Sequence, residues 1–264
     1  MEYKLINCDS VMKKITRKDA LFHGNYCVDP YQNCEFGCVY CDSSFEKTIY
    51  AKANIVDILK KELTQIDHGR IIIGSVNDPY QNVEKTYQLT KDVLETLTRY
   101  HLPVHILTKS PLILRDIDLL SSLPCMVTVS LSSLDDRVLR VIEPGVPSPK
   151  DRLKVVEKLH DNGINTGVAM IPLLPYIVES EIEGIVRAAH EAHAQYLLHK
   201  HLELKGDQEV LFKNMLVLHY PHLLPKYDEL YKDDFNPRKR YIQELNKMLT
   251  TYCNKYQIPD KIII

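Results

Sequence analysis

Short apolar runs alternate with stretches of helical periodicity along most of this chain. The run Ile71-Ile72-Ile73, closed by Gly74, is typical of a strand that is buried on both faces. Other short apolar segments bounded by polar or turn residues have the same character. The six predicted strands are residues 25–28, 71–73, 104–107, 126–131, 166–171 and 196–202.

Stretches with helical spacing lie between these strands. Ser148-Pro149 supplies a capping serine and a proline at the first helical position, and Ser180 with Glu183 fits a capping box. The predicted helices lie near residues 55–69, 89–100, 111–122, 149–163 and 182–189. Six strands that alternate with helices predict parallel pairing and right-handed crossovers, either in a barrel-like sheet or in an open, doubly wound one.

After the last predicted strand the pattern changes to helices alone. One helix near the C-terminus has an apolar face made of Tyr241, Leu245, Met248, Leu249, Tyr252 and Tyr256. We therefore divide the chain into an N-terminal segment (residues 1–25), an α/β core (residues 26–205) and a helical C-terminal extension (residues 206–264).

Composition narrows the class of protein but not its function. The formal net charge is −2, which gives no support for a nucleic-acid or membrane partner, although a local basic face is compatible with it. The N-terminal residues lack a basic segment followed by an apolar run, and no apolar run approaches the roughly 20 residues that span a bilayer. We expect a cytoplasmic protein of unassigned oligomeric state.

The chemistry of the chain is concentrated in the segment Cys34-Glu-Phe-Gly-Cys38-Val-Tyr40-Cys41. Three thiols within eight residues can reach one inorganic cluster, because cysteine sulfur is the usual ligand of iron–sulfur clusters. Structural zinc is the alternative, but a closed zinc site requires four ligands. Three ligands on a four-iron cluster leave one iron open, and an open metal position permits chemistry.

The remaining cysteines and the histidines do not suggest a second metal centre. Cys8, Cys27, Cys125 and Cys253 are scattered, so neither a disulfide framework nor an auxiliary cluster is predicted. Cys27 is near the motif and is a candidate fourth zinc ligand or redox partner, although a small buried cysteine is the favoured interpretation. We also interpret three histidine pairs as structural: His190/His193, His199/His201 and His219/His222.

Polar residues follow most of the predicted strands. Because ligands of parallel α/β barrels bind where the strands end, we expect these side chains to meet on one rim together with the cysteine loop. The strand-end residues are Ser75, Asn77, Asp78, Thr108, Lys109, Ser110, Ser130, Ser132, Ser133 and Pro172. The pentapeptide Asp-Pro-Tyr-Gln-Asn occurs twice, at residues 29–33 and 78–82, and we interpret it as reused turn chemistry and not as a duplicated domain.

The cysteine spacing, with Tyr40 before the last cysteine, resembles the signature of the radical S-adenosylmethionine enzymes. The resemblance implies that the open iron of a 4Fe–4S cluster binds the amino and carboxylate groups of S-adenosylmethionine. Reductive cleavage of the sulfonium would then give methionine and a 5′-deoxyadenosyl radical that abstracts hydrogen from a substrate. An external electron donor of the flavodoxin or ferredoxin type is implied as a partner.

Further blocks resemble the spore photoproduct lyase-like branch of these enzymes, from about residue 10 to about residue 225. They are Asn-Asp-Pro-Tyr-Gln at 77–81, Leu-Thr-Lys-Ser at 107–110, Val-Ser-Leu-Ser at 129–132 and Glu-Pro-Gly-Val-Pro-Ser-Pro at 143–149. This resemblance implies a partial (β/α)6 barrel with the cluster on Cys34, Cys38 and Cys41. It also implies that Tyr40 lies against the adenine and that Asn77, Lys109 and Ser130 contact the polar ends of S-adenosylmethionine.

The chain departs from that branch at one position that matters for chemistry. The lyases carry a cysteine that returns a hydrogen atom to the thymine product, and Ser75 aligns with it. A serine O–H bond is much stronger than a thiol S–H bond, so serine cannot replace cysteine as the donor. The substrate and catalytic residues are therefore unassigned. Repair of a DNA lesion and a zinc-stabilised binding module without turnover are the alternatives.

Overall fold

The structure, a computed structural model, describes residues 1–17, 19–44 and 46–263. The strands are β1 (Glu2–Ile6), β2 (Met12–Lys14), β3 (Tyr26–Val28), β4 (Tyr31–Gln32), β5 (Thr48–Lys52), β6 (Ile71–Ile73), β7 (Val104–Thr108), β8 (Cys125–Ser130), β9 (Asn165–Leu173) and β10 (Leu197–His201). The helices are α1 (Ile55–Leu63), α2 (Glu84–Tyr87), α3 (Leu89–Leu97), α4 (Ile117–Ser121), α5 (Asp136–Ile142), α6 (Pro149–Asp161), α7 (Ile182–Glu191), α8 (Gly206–His219), α9 (Leu224–Leu230) and α10 (Lys239–Lys255).

The main sheet is a partial (β/α)6 barrel, as predicted. Its strand order is β10-β9-β8-β7-β6-β3-β2, and the six strands from β3 to β10 are parallel. Parallel neighbours require crossover connections, and helices fill most of these connections. The central strands are almost wholly buried; β6 is three isoleucines with at most 1% exposure. Of the two sheet forms that the pattern left open, the barrel-like one is confirmed.

Four strands were not predicted from the sequence pattern. β2 pairs antiparallel with β3 at the edge of the barrel sheet, and β1, β5 and β4 form a separate three-stranded sheet. β1 is largely exposed and β2 and β4 are two or three residues long, so none of them carries an extended apolar run. The predicted helix at 111–122 is also modified, because its first half, Pro111–Asp116, is a 3₁₀ helix that precedes α4.

The helical extension continues from the last strand. On α10, Leu245 and Leu249 are buried as the apolar face predicts, whereas Met248 is 37% exposed. The C-terminal residues return to the barrel, because the amide of Leu197 donates to the carbonyl of Pro259 at 2.8 Å. In the described part of the chain, none of the helices has both the length and the apolar character needed to cross a bilayer.

Residues from both ends of the chain fill the bore of the barrel. The carboxylate of Asp19 accepts hydrogen bonds from the amides of Leu21, Phe22 and Gly24 at 3.0–3.1 Å, which shapes a tight turn. Leu21 and Phe22 pack against a buried cluster inside the barrel. That cluster is Met126, Ala169, Tyr196, Leu198 and Ile262.

A buried histidine in the bore makes stability depend on pH. His105 on β7 is fully buried, its Nε2 lies 2.6 Å from Thr128 Oγ1, and burial lowers its pKa from 6.5 to about 4. Between pH 6.5 and 4 the unfolded chain therefore binds a proton that the folded protein does not, so the free energy of unfolding decreases as the pH is lowered. Between pH 7 and 5 the His105→Gln variant should lose about 2 kcal/mol less unfolding free energy than the parent. Urea titrations at both pH values measure this difference, and equal losses would contradict it.

Candidate active site

A cavity of about 450 Å³ lies at the carboxyl ends of the barrel strands. Cys34, Cys38 and Cys41 all line it, so the cysteine loop lies on the rim that the barrel rule predicts. Other walls come from the ends of β6 to β9, and the end of β10 with the segment after it closes the opposite side. The lining residues of that opposite side are Lys200, His201, Leu202, Glu203, Lys205 and Gln208.

The cysteine loop is compact and closed by its own backbone. The amide of Cys34 donates to the carbonyl of Ser43 at 2.9 Å, and the amide of Cys41 donates to that of Cys38 at 3.1 Å. Gly37 adopts a φ of +67°, a conformation that glycine takes without strain. These bonds fold the loop so that its three thiols face one cavity.

The three thiols lie within electrostatic reach of one another. Burial raises the pKa of Cys34 to about 12 and raises that of Cys38 as well, and the neighbouring Cys34 and Cys41 add to the effect on Cys38. No three His, Cys, Asp or Glu side chains of the described residues are arranged around a single metal ion. A cluster has a different requirement, because each thiolate binds a different iron.

Lys109 brings a positive charge to the thiols. It lines the cavity with its ammonium 5.9 Å from the centre of the Tyr40 ring. Burial by itself would lower the pKa of Lys109, but Cys38, Glu143 and Asp78 raise it above its ordinary value. The side chain is therefore a permanent cation beside the sulfurs, and it suits a ligand with a carboxylate.

The loop after β6 positions this lysine. Asp78 accepts hydrogen bonds from Thr108 Oγ1 and from the amide of Lys109, both at 2.7 Å, and from the amide of Tyr80 at 2.9 Å. Asp78 therefore both shapes its own turn and fixes the end of β7. Ser75, in the same loop, also lines the cavity, and its hydroxyl lies 3.4 Å from Asp29 Oδ2.

The structure separates Asn77 from the other residues predicted to contact S-adenosylmethionine. Tyr40, Lys109 and Ser130 line the cavity, whereas Asn77 is not among its lining residues. The amide nitrogen of Asn77 donates to the carbonyl of Tyr31 at 3.1 Å, and its Oδ1 is buried without a hydrogen-bond partner among the described residues. The predicted contact of Asn77 with the cofactor therefore stays a prediction. The hydrogen bond to Tyr31 is a structural contact.

Gln81 holds the start of the cysteine loop and was missed by the sequence analysis. Its side chain is fully buried, donates to the carbonyl of Asn33 at 3.0 Å and accepts from the amide of Glu35 at 2.9 Å. These two backbone groups flank Cys34. Gln81 belongs to the second Asp-Pro-Tyr-Gln-Asn pentapeptide, and Asn33 ends the first, so the repeated turns bind one another.

Replacing Gln81 by leucine should loosen this loop. The change leaves one partly buried N–H and one partly buried C=O unpaired beside Cys34, which costs about 2–4 kcal/mol of unfolding free energy. Chemical denaturation of the metal-free protein measures the loss, and iron bound per chain after reconstitution should fall with it. The exposed Gln65→Leu serves as the matched control, with a change under about 0.5 kcal/mol. A Gln81 variant as stable as that control would contradict the role.

A second buried network lies behind Tyr40. Glu143 accepts hydrogen bonds from the hydroxyls of Tyr40 and Ser132 and forms an ion pair with Arg152 at 2.8 Å. Burial by itself would raise the pKa of Glu143, but Arg152 and Lys109 hold it below its ordinary value. Glu143 begins the Glu-Pro-Gly-Val block, which the sequence analysis used only for its resemblance. The carboxylate and the guanidinium are both fully buried.

The same block touches the cysteine loop directly. The amide of Gly145 donates to the carbonyl of Phe36 at 3.0 Å, and a Cβ on this glycine would lie 2.9 Å from that oxygen. The amide of Val39 donates to the carbonyl of Ile142 at 3.0 Å. The backbone at the end of α5 and just after it therefore lies against the loop that carries the cysteines, and only a glycine at position 145 permits the approach.

The histidine pair His199/His201 has a structural partner. Both Nε2 atoms lie near Oδ1 of Asn246, at 3.1 and 2.9 Å, which connects β10 to α10. Arg238 of the basic run 238–240 forms ion pairs with Glu229 and Asp233. The histidine pair and Arg238 therefore make contacts that connect elements of the fold.

The donor set of the cavity fits the cofactors that the sequence resemblance implies. Three thiols on one wall are suited to an iron–sulfur cluster. The Lys109 ammonium has no hydrogen-bond acceptor among the described residues and suits a carboxylate, and Ser130 lines the same space. The residues present are therefore compatible with a cluster and a zwitterionic nucleoside side by side.

Comparison with known proteins agrees with this geometry. The sequence model of the Radical SAM superfamily matches residues 28–189, which include the three cysteines. An uncharacterized protein of Mycobacterium tuberculosis is 27% identical over 272 residues, covering 95% of this chain and 80% of its own length. The radical SAM Nalpha-GlyT isomerase of Pseudomonas phage M6 is 26% identical over 176 residues, covering 63% of this chain and 37% of its own.

A solved structure shares the fold. Spore photoproduct lyase, in a variant with bound AdoMet and dinucleoside spore photoproduct, superposes with a TM-score of 0.72. The match covers 96% of this chain and 78% of the lyase at 13% sequence identity. At that identity the likeness describes the architecture, and the chemistry has to be argued from the residues of this chain.

Proposed function

The chain belongs to the Radical SAM superfamily, and we propose that it is an enzyme that cleaves S-adenosylmethionine reductively and abstracts hydrogen from an unassigned substrate. The observation that carries the proposal is the shared cavity, which is lined by three thiols, by Lys109 and by Ser130. A thiol trio without a cation beside it would suit a cluster alone. The added ammonium and hydroxyl suit a second ligand that is both charged and polar.

Cys34, Cys38 and Cys41 would hold a 4Fe–4S cluster, and Tyr40, Lys109 and Ser130 would hold S-adenosylmethionine next to it. Bound together and reduced by a flavodoxin- or ferredoxin-type donor, the two groups would supply a 5′-deoxyadenosyl radical. Lys109 would bind the carboxylate of the nucleoside through a charge-assisted hydrogen bond. Phe22 and the end of β9 (Ala169, Ile171, Pro172) would keep water from the inner part of the cavity.

The experiment is an anaerobic reconstitution with iron and sulfide. The wild-type protein should become brown, bind iron and convert S-adenosylmethionine to 5′-deoxyadenosine and methionine when dithionite is added. Chromatography of the nucleoside products measures this conversion. A colourless, zinc-only protein that forms no 5′-deoxyadenosine would overturn the proposal and support a zinc-stabilised binding module.

Reversal of a lesion in DNA is the second candidate, and it is supported by the spore photoproduct lyase of the same fold, whose structure holds a dinucleoside spore photoproduct. A base lesion would have to be extruded from the duplex into the cavity. Ser75 lines that cavity where a thiol would be required as hydrogen donor. The test is Ser75→Cys with a dinucleoside photoproduct, and failure of both proteins to restore its two thymines would count against DNA repair.

A further inference from the structure

The buried ion pair of Glu143 and Arg152 has no evident role in holding the fold together. Both side chains have 0% exposure, and Arg152 Nη1 also donates to the carbonyl of Ser130 at 3.0 Å. Nε and Nη2 of Arg152 are buried without hydrogen-bond partners among the described residues. A buried pair of this kind usually stabilises a protein no more than well-packed apolar side chains do. Its presence therefore requires another explanation.

The contacts of the pair supply one. Arg152 on α6 binds the end of β8 through Ser130, and Glu143 binds the cysteine loop through the hydroxyl of Tyr40. Neither Glu143 nor Arg152 lines the cavity, whereas Tyr40 and Ser130 both do. The pair thus connects two walls of the cavity from outside it, across 103 residues of sequence between Tyr40 and Glu143.

We propose that Glu143, held by Arg152, is a positioning residue that fixes the Tyr40 ring relative to the end of β8 at Ser130. The inference rests on the proposed function, because these two groups are predicted to contact S-adenosylmethionine. A ring that is restrained before the ligand arrives costs less ordering free energy on binding than a mobile one. Ser132 adds a second hydroxyl to the same carboxylate oxygen at 2.7 Å, which restrains it further.

The metal-free protein provides the first test. In the paired variant Glu143→Leu/Arg152→Met, neither member of the ion pair is left buried alone and Lys109 keeps Asp78 as a counter-charge, so the melting temperature should stay within about 5 °C of the parent. Hydrogen exchange of the amides from Val39 to Cys41 should nevertheless accelerate at least about tenfold, because Tyr40 has lost its acceptor. Tyr40→Phe should accelerate the same amides, and the combination should add little to either change.

The reconstituted protein provides the second test. The dissociation constant of S-adenosylmethionine, followed by its effect on the electron paramagnetic resonance of the reduced cluster, should rise at least about tenfold in the paired variant and in Tyr40→Phe. Tyr227→Phe is the matched control, because Tyr227 is also fully buried and donates to a backbone carbonyl, that of Pro175, at 2.6 Å away from the cavity. That variant should bind the ligand like the parent.

The outcomes separate this inference from the proposed function. Unchanged loop exchange and unchanged affinity in the paired variant would overturn the positioning role even if the parent forms 5′-deoxyadenosine. If the parent binds no cluster, the proposed function fails, and the exchange experiment still decides whether the pair restrains Tyr40. Weaker binding with normal exchange in the loop would also contradict the inference.

Discussion

Replacing Arg152 alone by methionine is expected to lower the free energy of unfolding by about 3–5 kcal/mol. The variant leaves the carboxylate of Glu143 fully buried without its ionic partner, at 0% exposure. It also removes the donor to the carbonyl of Ser130. Because a domain is stable by only about 5–15 kcal/mol, the loss should be visible as a large fall in the denaturant midpoint of the metal-free protein.

The paired replacement Glu143→Leu/Arg152→Met is the control for this expectation. It removes both charges and should restore most of the stability that Arg152→Met loses, so the two sites should be strongly non-additive. A single variant that loses less than about 1 kcal/mol would mean that water or a change of protonation relieves the isolated carboxylate.

Replacing Cys38 by alanine is expected to abolish formation of 5′-deoxyadenosine and to reduce bound iron sharply. The thiol is 5% exposed and is the middle one of the trio on the cavity wall, so its loss leaves a cluster two protein ligands. Iron analysis and product chromatography after anaerobic reconstitution measure both effects. The metal-free variant should remain folded, because the truncation removes a single buried sulfur atom.

Cys8→Ala is the matched control for the cysteine experiment. Cys8 is partly buried, does not line the cavity and is held through its backbone by the side chain of Asn54 at 2.9 Å. The control should bind iron and form product like the parent. Full iron content and turnover in Cys38→Ala would remove the basis for the proposed cluster.

Features with a local signal were predicted correctly from the sequence. Most of the barrel strands are apolar runs between turn residues, and such a run predicts a buried strand without knowledge of its partners. The thiol motif is also local, as is the rule that polar residues after parallel strands meet on one rim. Cys34 and Lys109 lie in one cavity for that reason.

Features that depend on contacts between residues far apart in the sequence were not predicted. Gln81 binds the backbone of Asn33 and Glu35, 48 and 46 residues away, and nothing in the pentapeptide distinguishes this glutamine from Gln32, which is exposed. Glu143 looks like a surface acid after a helix until Arg152 and Tyr40 are placed beside it. Such pairings are set by tertiary packing, so a single sequence carries no periodicity that reveals them.

The manner in which the bore is filled has a consequence for solvent access to the proposed site. Leu21 and Phe22 from the N-terminal segment and Ile262 from the C-terminal end pack into one cluster inside the barrel. The seal is made by segments outside the barrel strands, so solvent leakage from that side can be varied without altering the strands. A polar replacement such as Ile262→Asn would admit water into the bore and should raise the polarity of the interior that faces the cavity.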